Sequence, residues 1–287
     1  MATVQVAQHA GACFGVQRAL DITRQALGEG QGTVHTLGPL IHNPIVVTDL
    51  AERGAVVAQT PEEVGPGETL ILRTHGVHPD VERRAKKTGA HVVDATCPFV
   101  KRVHRHCENL LRDGYQVVVV GEAGHPEVEG ACGHAPGALV LGSAQDAREA
   151  EVPRRVGVVA QTTLAKDVLD EVVCALLGRC EELRVYNTIC QATRERQDAA
   201  RELAANVDVM VVVGGHNSAN TTHLAQVCKE VCDRTYHVEQ PSQLEASWFA
   251  GAQSIGITAG ASTPAEHIVQ MRDAIACLCD GLAPAGS

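Results

Sequence analysis

The stretch Val117-Val-Val-Val-Gly-Glu-Ala-Gly-His125 gives the clearest indication of the fold. Four consecutive valines are typical of a parallel strand that is buried on both faces, and the polar, glycine-containing turn after them is typical of an entry into a helix. The same arrangement returns as Met210-Val-Val-Val-Gly-Gly-His-Asn-Ser218. The sequence therefore predicts βαβ units, with parallel sheets and helices packed outside them.

Short aliphatic runs recur along the chain, and helical stretches lie between them. All of these runs are far shorter than the roughly 20 apolar residues that a membrane helix needs, so we expect no membrane span. The predicted strands are Thr69–Leu72, His91–Val93, Val117–Val120, Val156–Val159, Val209–Val213 and Ser254–Ile257. The predicted helices are Pro79–Thr88, Val100–Arg112, Leu164–Gly178, Thr193–Ala205 and Thr221–Cys232.

Three cysteines stand at corresponding places in this pattern. His91-Val-Val-Asp-Ala-Thr-Cys97 and Arg184-Val-Tyr-Asn-Thr-Ile-Cys190 both read as a strand, a short polar turn and a cysteine, and Cys13 follows a further short run near the N-terminus. The spacings of 84 and 93 residues are unlike those of zinc fingers or ferredoxins. Matching chemistry at a near-constant period predicts three repeated units.

These repeats predict a trefoil of three small α/β lobes with mostly parallel sheets. If the lobes pack about a pseudo-threefold axis, the carboxyl ends of their strands converge on one central cavity. The predicted bounds are 1–13 for an N-terminal strand that leads to Cys13, 14–97, 98–190 and 191–281 for the three lobes, and 282–287 for a flexible tail.

Convergence of Cys13, Cys97 and Cys190 would allow them to ligate three corners of an iron–sulfur cube and leave the fourth iron open to a substrate. The alternative is that they are buried structural cysteines, since free cysteine is commonly found in protein cores. We expect Cys228 and Cys232 to lie in the core. We expect a solvated helix face for the segment His104-Arg-His-Cys107, because basic residues surround it.

Neutral polar side chains follow several of the predicted strands. Imidazole, hydroxyl and amide donors can surround a diphosphate, and helices that begin after such loops favour an anion. The alternative is that these side chains are turn residues and helix N-caps. The set also contains one acid, which is a candidate proton donor. The candidates are His42, His75, His125, Glu127, Thr162, Thr163, Ser218, Asn220 and Ser262.

The amino-acid composition argues about the partners, the core and the cellular compartment of the protein. The 287 residues include 24 basic and 34 acidic side chains, for a net charge of −10, which argues against a nucleic-acid partner. Aromatic residues are scarce, so we expect a core of valine, alanine, leucine and isoleucine. The chain has 11 cysteines, an odd number, and its first residues do not resemble a signal peptide. Both features favour the reducing cytoplasm.

The sequence resembles the IspH (LytB) family of 4-hydroxy-3-methylbut-2-enyl diphosphate reductases over essentially its whole length. The resemblance rests on nine ordered motifs, which together are far more specific than any one of them. They are Ala10-Gly-Ala-Cys-Phe-Gly-Val16, Gly38-Pro-Leu-Ile-His-Asn-Pro44, Arg73-Thr-His-Gly-Val77, Asp94-Ala-Thr-Cys-Pro98, Gly124-His-Pro-Glu-Val-Glu-Gly130, Gln161-Thr-Thr-Leu164, Thr188-Ile-Cys-Gln-Ala-Thr193, His216-Asn-Ser-Ala-Asn220 and Thr258-Ala-Gly-Ala-Ser262.

The resemblance implies a trefoil around a central [4Fe-4S] cluster in which one iron has no protein ligand. It implies the reductive loss of the allylic hydroxyl from the diphosphate substrate, the last step of the non-mevalonate isoprenoid route, with a reduced ferredoxin or flavodoxin as electron donor. It makes Glu127 the proton source, with Thr162 and Thr163 beside the substrate hydroxyl. The implied cluster ligands are Cys13, Cys97 and Cys190, and the implied diphosphate-binding residues are His42, His75, His125, Ser218, Asn220 and Ser262.

Four positions depart from the family pattern: Gln191, Ala219 and the pair Arg194-Glu195. Ala219 stands where some members have a second serine, which removes one possible diphosphate contact. Two alternative functions stay open at this point. A zinc hydrolase would use some of the histidines and cysteines, and a non-enzymatic sensor would bind a cluster or a diphosphate without turnover.

Overall fold

A computed structural model gives the structure of the chain and describes residues 2–30 and 32–281. The predicted tail, 282–287, lies outside the described residues. Two compact units make up the described chain. The first unit contains residues 2–14, 42–46 and 191–281, and the second contains residues 15–30, 32–41 and 47–190.

The described residues contain twelve strands, and six of them correspond to the predicted strands with bounds that differ by two residues or fewer. The strands are β1 Thr3–Val6, β2 Val34–Leu37, β3 Ala55–Ala58, β4 Thr69–Leu72, β5 His91–Asp94, β6 Gln116–Val120, β7 Leu139–Leu141, β8 Arg155–Ala160, β9 Glu182–Tyr186, β10 Val209–Val213, β11 Thr235–Val238 and β12 Ser254–Ala259.

The five predicted helices are also confirmed. Several helices begin directly after a cysteine, histidine or serine at the end of a strand's loop, which places those side chains at helix N-termini. The helices of the described chain are α1 Phe14–Glu29, α2 Pro44–Glu52, α3 Pro79–Lys87, α4 Pro98–Arg112, α5 Pro126–Gly133, α6 Ala144–Glu149, α7 Lys166–Leu177, α8 Gln191–Ala204, α9 Ala219–Lys229 and α10 Ala265–Gly281.

The described residues form three four-stranded sheets in which every neighbouring pair of strands is parallel. The first sheet has the order β3-β2-β4-β5 and the second has the order β7-β6-β8-β9. Because the strands of one sheet run the same way, their carboxyl ends lie along one edge. The prediction of α/β lobes with parallel sheets is confirmed.

The third sheet is completed by the N-terminus of the chain. Its order is β11-β10-β12-β1, and β1 pairs with β12 from Thr3 opposite Ser254 to Val6 opposite Ile257. Strand β1 therefore takes the edge position that β5 and β9 hold in the other two sheets. This pairing brings the segment that leads to Cys13 to the carboxyl edge of the third sheet, although β1 and β12 are far apart in sequence.

The central strands form an aliphatic core, as the composition predicts. All five residues of β10 are fully buried, and so are all of β4 apart from its slightly exposed first residue. The prediction for Cys228 and Cys232 is confirmed, because both pack with Leu224 in one core cluster. No helix of the described residues is long and apolar enough to cross a bilayer.

One expectation about helix α4 is wrong. His104 and Cys107 do not lie on a solvated face; their exposed fractions are 7% and 0%. They continue the buried stripe that Val100, Val103 and Leu110 form at helical spacing, and the basic residues lie on the opposite face. The charged neighbours in the sequence hide this periodicity.

We expect Gly157→Ala to lower the free energy of unfolding by about 1–3 kcal/mol, because overpacking a filled core strains it. A Cβ atom at Gly157, in β8, would lie 2.5 Å from Cδ2 of Leu110, which is fully buried. Urea unfolding measures the change. As a matched control, Gly28→Ala in α1 meets no atom within 4 Å and should stabilise by up to about 1 kcal/mol through helix propensity. Equal stability of the Gly157 variant and the unaltered protein would contradict this packing.

Candidate active site

The three predicted cluster ligands occupy equivalent positions. Cys13, Cys97 and Cys190 each immediately precede the first residue of a long helix, α1, α4 and α8 respectively. The N-terminus of a helix favours a negative charge, and a metal-binding cysteine is a thiolate. All three side chains are of intermediate exposure.

The same backbone hydrogen bond anchors each of these cysteines. The N–H of Cys97 donates to the carbonyl of Thr74 at 3.0 Å, that of Cys190 to Thr162 at 2.9 Å, and that of Cys13 to Ala261 at 3.1 Å. Every acceptor lies two residues beyond the end of a central strand, namely β4, β8 and β12. The repeat seen in the sequence is therefore a repeat of local geometry, although Cys13 belongs to the first unit and the other two cysteines belong to the second.

Other cysteines lie in different surroundings. Burial raises the pKa of Cys107 to about 12, and it raises the pKa of Cys228 to about 12 as well. A thiol with such a pKa stays protonated near neutral pH, so it is a poor metal ligand. Both side chains fill cores, as expected for structural cysteines.

Glu127, in the second unit, is a buried acid with two hydrogen bonds to one threonine. It lies in the first turn of α5 with 3% of its surface exposed. Its Oε1 atom accepts the backbone N–H of Thr162 at 2.6 Å, and its Oε2 atom is 2.8 Å from Oγ1 of Thr162. Burial raises the pKa of Glu127 to about 7, although both bonds from Thr162 oppose this shift. Near neutral pH the carboxyl therefore exists in both protonation states.

The two contacts fix where the proton of Glu127 sits. Oε1 is occupied by a backbone N–H, which can only donate, so a protonated carboxyl carries its proton on Oε2. That proton is then shared with Oγ1 of Thr162, and the hydroxyl hydrogen of Thr162 is released to donate to another acceptor. Glu127 can thus pass its proton from Oε2 to Oγ1 of Thr162, and Thr162 can pass its own hydroxyl proton to a further acceptor. The backbone bond at Oε1 leaves Oε2 as the oxygen that carries the proton.

Two of the predicted diphosphate-binding histidines lie side by side in the second unit. The rings of His75 and His125 meet edge to face with centroids 5.7 Å apart. His125 is the N-cap of α5, and its Nδ1 accepts the N–H of Glu127 at 3.1 Å. This bond places the proton of a neutral His125 ring on Nε2, which is a hydrogen-bond donor suited to an anion.

Gln161 belongs to this site, although the sequence motif did not assign it a role. Its side chain is buried; Oε1 accepts the N–H of Glu122 at 3.0 Å and Nε2 donates to Oγ1 of Thr163 at 3.0 Å. Gln161 therefore orients the hydroxyl of Thr163 and ties the loop after β8 to the loop after β6. Its position directly before two threonines at a strand end was the available signal.

In the first unit, Ser218 and Asn220 begin helix α9. Ser218 is its N-cap and accepts the N–H of Thr221. Asn220 is 6% exposed, and its Nδ2 atom is buried with no hydrogen-bond partner in the described part of the chain. An unpaired buried donor is costly, about 1–3 kcal/mol, so it indicates a place where a bound acceptor belongs.

Asn43 joins two of the predicted binding residues, His42 and Ser262. Its Nδ2 donates to the carbonyl of Ser262 at 2.8 Å, and Oγ of Ser262 donates to the carbonyl of His42 at 3.2 Å. The Oδ1 atom of Asn43 accepts the N–H of Ile45 and Val46. Asn43 is thus a positioning residue that the sequence reasoning missed; an asparagine before a proline at a helix start was its signal.

Close glycine contacts shape the same region of the first unit. A Cβ atom at Gly260 would lie 2.0 Å from Oγ1 of Thr221, and one at Gly215 would lie 3.2 Å from the carbonyl oxygen of His42. The loop after β12 therefore packs against helix α9, and the loop after β10 packs against the segment of His42, at distances that favour glycine. This packing holds Ser218 and Ser262 in one region.

The predicted site residues thus form two groups, one in each unit. That both groups contribute to one site stays a prediction. Within the described ranges, no three His, Cys, Asp or Glu side chains are grouped as ligands of one metal ion. The second unit holds His75, Cys97, His125, Glu127, Thr162, Thr163 and Cys190, and the first holds Cys13, His42, Ser218, Asn220 and Ser262.

Comparison with known proteins identifies close relatives. Residues 4–276 match the LytB protein family. The chain is 48% identical to the 4-hydroxy-3-methylbut-2-enyl diphosphate reductase of Citrifermentans bemidjiense, covering 96% of this chain and 97% of the relative. It is 44% identical to the enzyme of the same name from Aquifex aeolicus, covering 98% of both chains.

Solved structures give the same result. A structure of (E)-4-hydroxy-3-methyl-but-2-enyl diphosphate reductase, described as the terminal enzyme of the non-mevalonate pathway, has a TM-score of 0.73 and 43% identity, over 96% of this chain and 99% of that one. The E-1-hydroxy-2-methyl-but-2-enyl-4-diphosphate reductase of Plasmodium falciparum has a TM-score of 0.90 and 26% identity, over 95% and 87%.

The raised pKa of Glu127 makes stability depend on pH. Between pH 4.5, the ordinary value, and about 7 the folded protein holds a proton that the unfolded chain has lost. The free energy of unfolding should therefore fall as pH rises through this window, by about 3 kcal/mol from this group. In urea unfolding from pH 4 to 8, Glu127→Gln should remove that part of the slope.

The exposed Glu129 on the same helix provides the matched control, and Glu129→Gln should leave the slope unchanged. A Glu127→Gln protein whose stability varies with pH as steeply as that of the unaltered protein would refute the shifted pKa.

Proposed function

The chain belongs to the LytB family, and we propose that it reductively removes the hydroxyl of 4-hydroxy-3-methylbut-2-enyl diphosphate to give isopentenyl diphosphate and dimethylallyl diphosphate. This is the terminal step of the non-mevalonate pathway that a solved relative performs. The observation that carries the proposal is the buried pair of Glu127 and Thr162, because the reaction needs a proton donor next to a leaving hydroxyl.

The reaction consumes two electrons and two protons. The carbon–oxygen bond breaks, the oxygen leaves as water, and the allylic fragment takes a proton at either of two carbons, which accounts for two products. Hydroxide is a poor leaving group, so protonation must accompany the cleavage. Glu127 supplies this proton through Oγ1 of Thr162, and Thr163, oriented by Gln161, lies next in the chain to receive the substrate hydroxyl.

The diphosphate end would be held by donors from both units. His75 and His125 in the second unit and Ser218, Asn220, Ser262 and His42 in the first unit are the proposed partners. The unpaired Nδ2 atom of Asn220 supports this assignment, since a phosphate oxygen would satisfy it. Helix α9 begins at Ala219, so its N-terminus adds backbone dipoles that favour an anion. Holding the far end of the substrate orients the reacting carbon.

The cysteines fit an iron–sulfur cluster. Three cysteines occupy equivalent helix N-termini, and each is held by an equivalent backbone bond. We propose that Cys13, Cys97 and Cys190 ligate a [4Fe-4S] cluster whose fourth iron has no protein ligand. When bound, this group supplies electrons one at a time and a Lewis-acidic iron. Reduced ferredoxin or flavodoxin is the proposed donor, and the cytoplasm, where thiols stay reduced, is the proposed location.

The decisive experiment is an anaerobic assay of the purified protein. Iron and sulfide analysis with Mössbauer spectroscopy should reveal a [4Fe-4S] cluster, and dithionite-reduced viologen should support turnover of the diphosphate substrate. A colourless protein that contains zinc would instead favour a hydrolase. A protein that binds cluster and substrate without turnover would favour a sensor.

Replacing Glu127 by Gln should reduce turnover by roughly 100-fold or more while leaving the cluster intact, because the variant cannot give up a proton. Steady-state kinetics with reduced viologen measures the change, and iron analysis verifies the cluster. Glu129→Gln, which makes the same substitution at an exposed site of the same helix, should keep full activity. Unchanged turnover in the Glu127 variant would remove Glu127 from the mechanism.

Replacing Cys13 by Ser should lose or degrade the cluster, because a hydroxyl is a much weaker ligand for iron than a thiolate. Cluster absorbance and iron content provide the measurement. Cys174→Ser is the control, since Cys174 is exposed on α7 and free; it should keep its iron. Undiminished iron in the Cys13 variant would show that Cys13 is not a ligand.

A further inference from the structure

The segment that carries Cys13 is the longest of the three ligand loops. Cys97 follows the last residue of β5 by three positions and Cys190 follows β9 by four, whereas Cys13 follows β1 by seven. Between β1 and Cys13 the backbone is irregular, and Gly11 adopts a left-handed conformation with φ of +95°. A longer irregular loop has more freedom to lose, so it needs additional contacts to place its cysteine.

Side chains within the two shorter loops stabilise them. Oδ1 of Asp94 accepts the N–H of Thr96, and Oδ1 of Asn187 accepts the N–H of Ile189. Both acceptors stand three residues before the cysteine and both donors stand one residue before it. The corresponding residue before Cys13 is Ala10, which has no side-chain acceptor. The loop of Cys13 therefore lacks the internal bond that the other two loops share.

A buried arginine contacts the loop of Cys13, where the internal side-chain bond of the other two loops is missing. Arg196, in helix α8, is 3% exposed, and its Nη2 atom donates to the carbonyl of Gly11 at 2.8 Å. Its Nη1 atom donates to the carbonyl of Ala192 at 3.0 Å, which holds the guanidinium against its own helix. A hydrogen bond from a charged donor is worth about 1.5–3 kcal/mol, and the planar guanidinium fixes both bonds at once.

A weaker version of the same contact holds the loop of Cys97. Arg18, in helix α1, is half-buried, and its guanidinium donates to the carbonyls of Asp94 and Thr96 at 3.4 Å each. Arg18 follows Cys13 by five residues in the chain, and Arg196 follows Cys190 by six. Arg196, which contacts the loop of Cys13, lies on the helix that starts directly after Cys190. Arg18, which contacts the loop of Cys97, lies on the helix that starts directly after Cys13.

We propose that Arg196 is a positioning residue for Cys13 and that Arg18 has the same role for Cys97. Through Arg196, the position of Cys13 depends on helix α8, which follows Cys190. Through Arg18, the position of Cys97 depends on helix α1, which follows Cys13. The inference rests on the proposed function, because the cluster is what these cysteines would hold. Partners that orient metal ligands commonly change metal affinity by roughly 10–100-fold when removed.

Hydrogen–deuterium exchange of the holoprotein tests the contacts themselves. The amide of Gly11 donates to Ala259, the last residue of β12, and that of Cys13 donates to Ala261 in the loop that follows, so both exchange only when the segment opens. In Arg196→Met, exchange in a peptide covering residues 7–13 should rise about tenfold or more while a peptide covering 94–97 stays unchanged. Arg18→Met should give the reverse pattern, with a smaller change. A merely global loss of stability would raise exchange in both peptides together.

Iron release to a chelator provides the second readout. Arg196→Met should release iron about tenfold faster than the unaltered protein, and Arg196→Lys, which keeps the charge but cannot make both bonds, should fall between them. Arg201→Met is the matched control, because Arg201 lies on the same helix and makes only an exposed ion pair with Glu230; it should behave like the unaltered protein.

The outcomes separate the two proposals. Unchanged exchange in residues 7–13 together with unchanged iron release in a folded Arg196 variant would overturn the positioning role. If Arg196→Met fails to fold, the exchange and iron release of Arg196→Lys are compared with those of the unaltered protein instead. An unaltered protein that takes up no cluster would contradict the proposed function instead, and the exchange comparison would still test the contact of Arg196 with Gly11.

Discussion

The hydrogen bond that each of Cys13, Cys97 and Cys190 donates from its N–H to the loop beyond a central strand is the constraint on which the candidate site depends. A central strand in a parallel sheet has strands on both sides, so its carboxyl end is a fixed point. A cysteine bonded two residues beyond that end takes its position from the sheet. The next residue along each of these loops is a predicted substrate contact. These residues are His75 after β4, Thr163 after β8 and Ser262 after β12.

Burial and backbone donors act against each other at Glu127, and the balance supports its proposed chemistry. Desolvation favours the neutral carboxyl, whereas the N–H and the hydroxyl of Thr162 favour the charged form. The result is a pKa of about 7, where the group can both hold and release a proton. A chain with a net charge of −10 does not attract an anionic substrate over long distances. In the proposed function, affinity for a diphosphate would therefore come from local donors such as His125 and Asn220.

Prediction from sequence succeeded where one pattern was strong and local. The runs Val117–Val120 and Val209–Val213 are buried parallel strands because four or five adjacent aliphatic residues fit no other place in an α/β lobe. Among the strands of four residues or fewer, β4 and β5 were predicted whereas β2, β3, β7 and β11 were not, since runs this short give only a weak period. His104 was misplaced because the charges around it obscured the buried stripe of α4.

Sequence patterns alone predict six of the strands and five of the helices in chain order, the place of three cysteines after a strand and a short turn, and the polar residues that follow the strands. These features depend on neighbours within a few residues. Only the tertiary structure decided that Asn43 holds Ser262 and that Arg196 holds Gly11, since these partners are 219 and 185 residues apart in the chain. Such contacts arise when β1 joins β12 and the loops at the sheet edge are packed together. No local pattern encodes them.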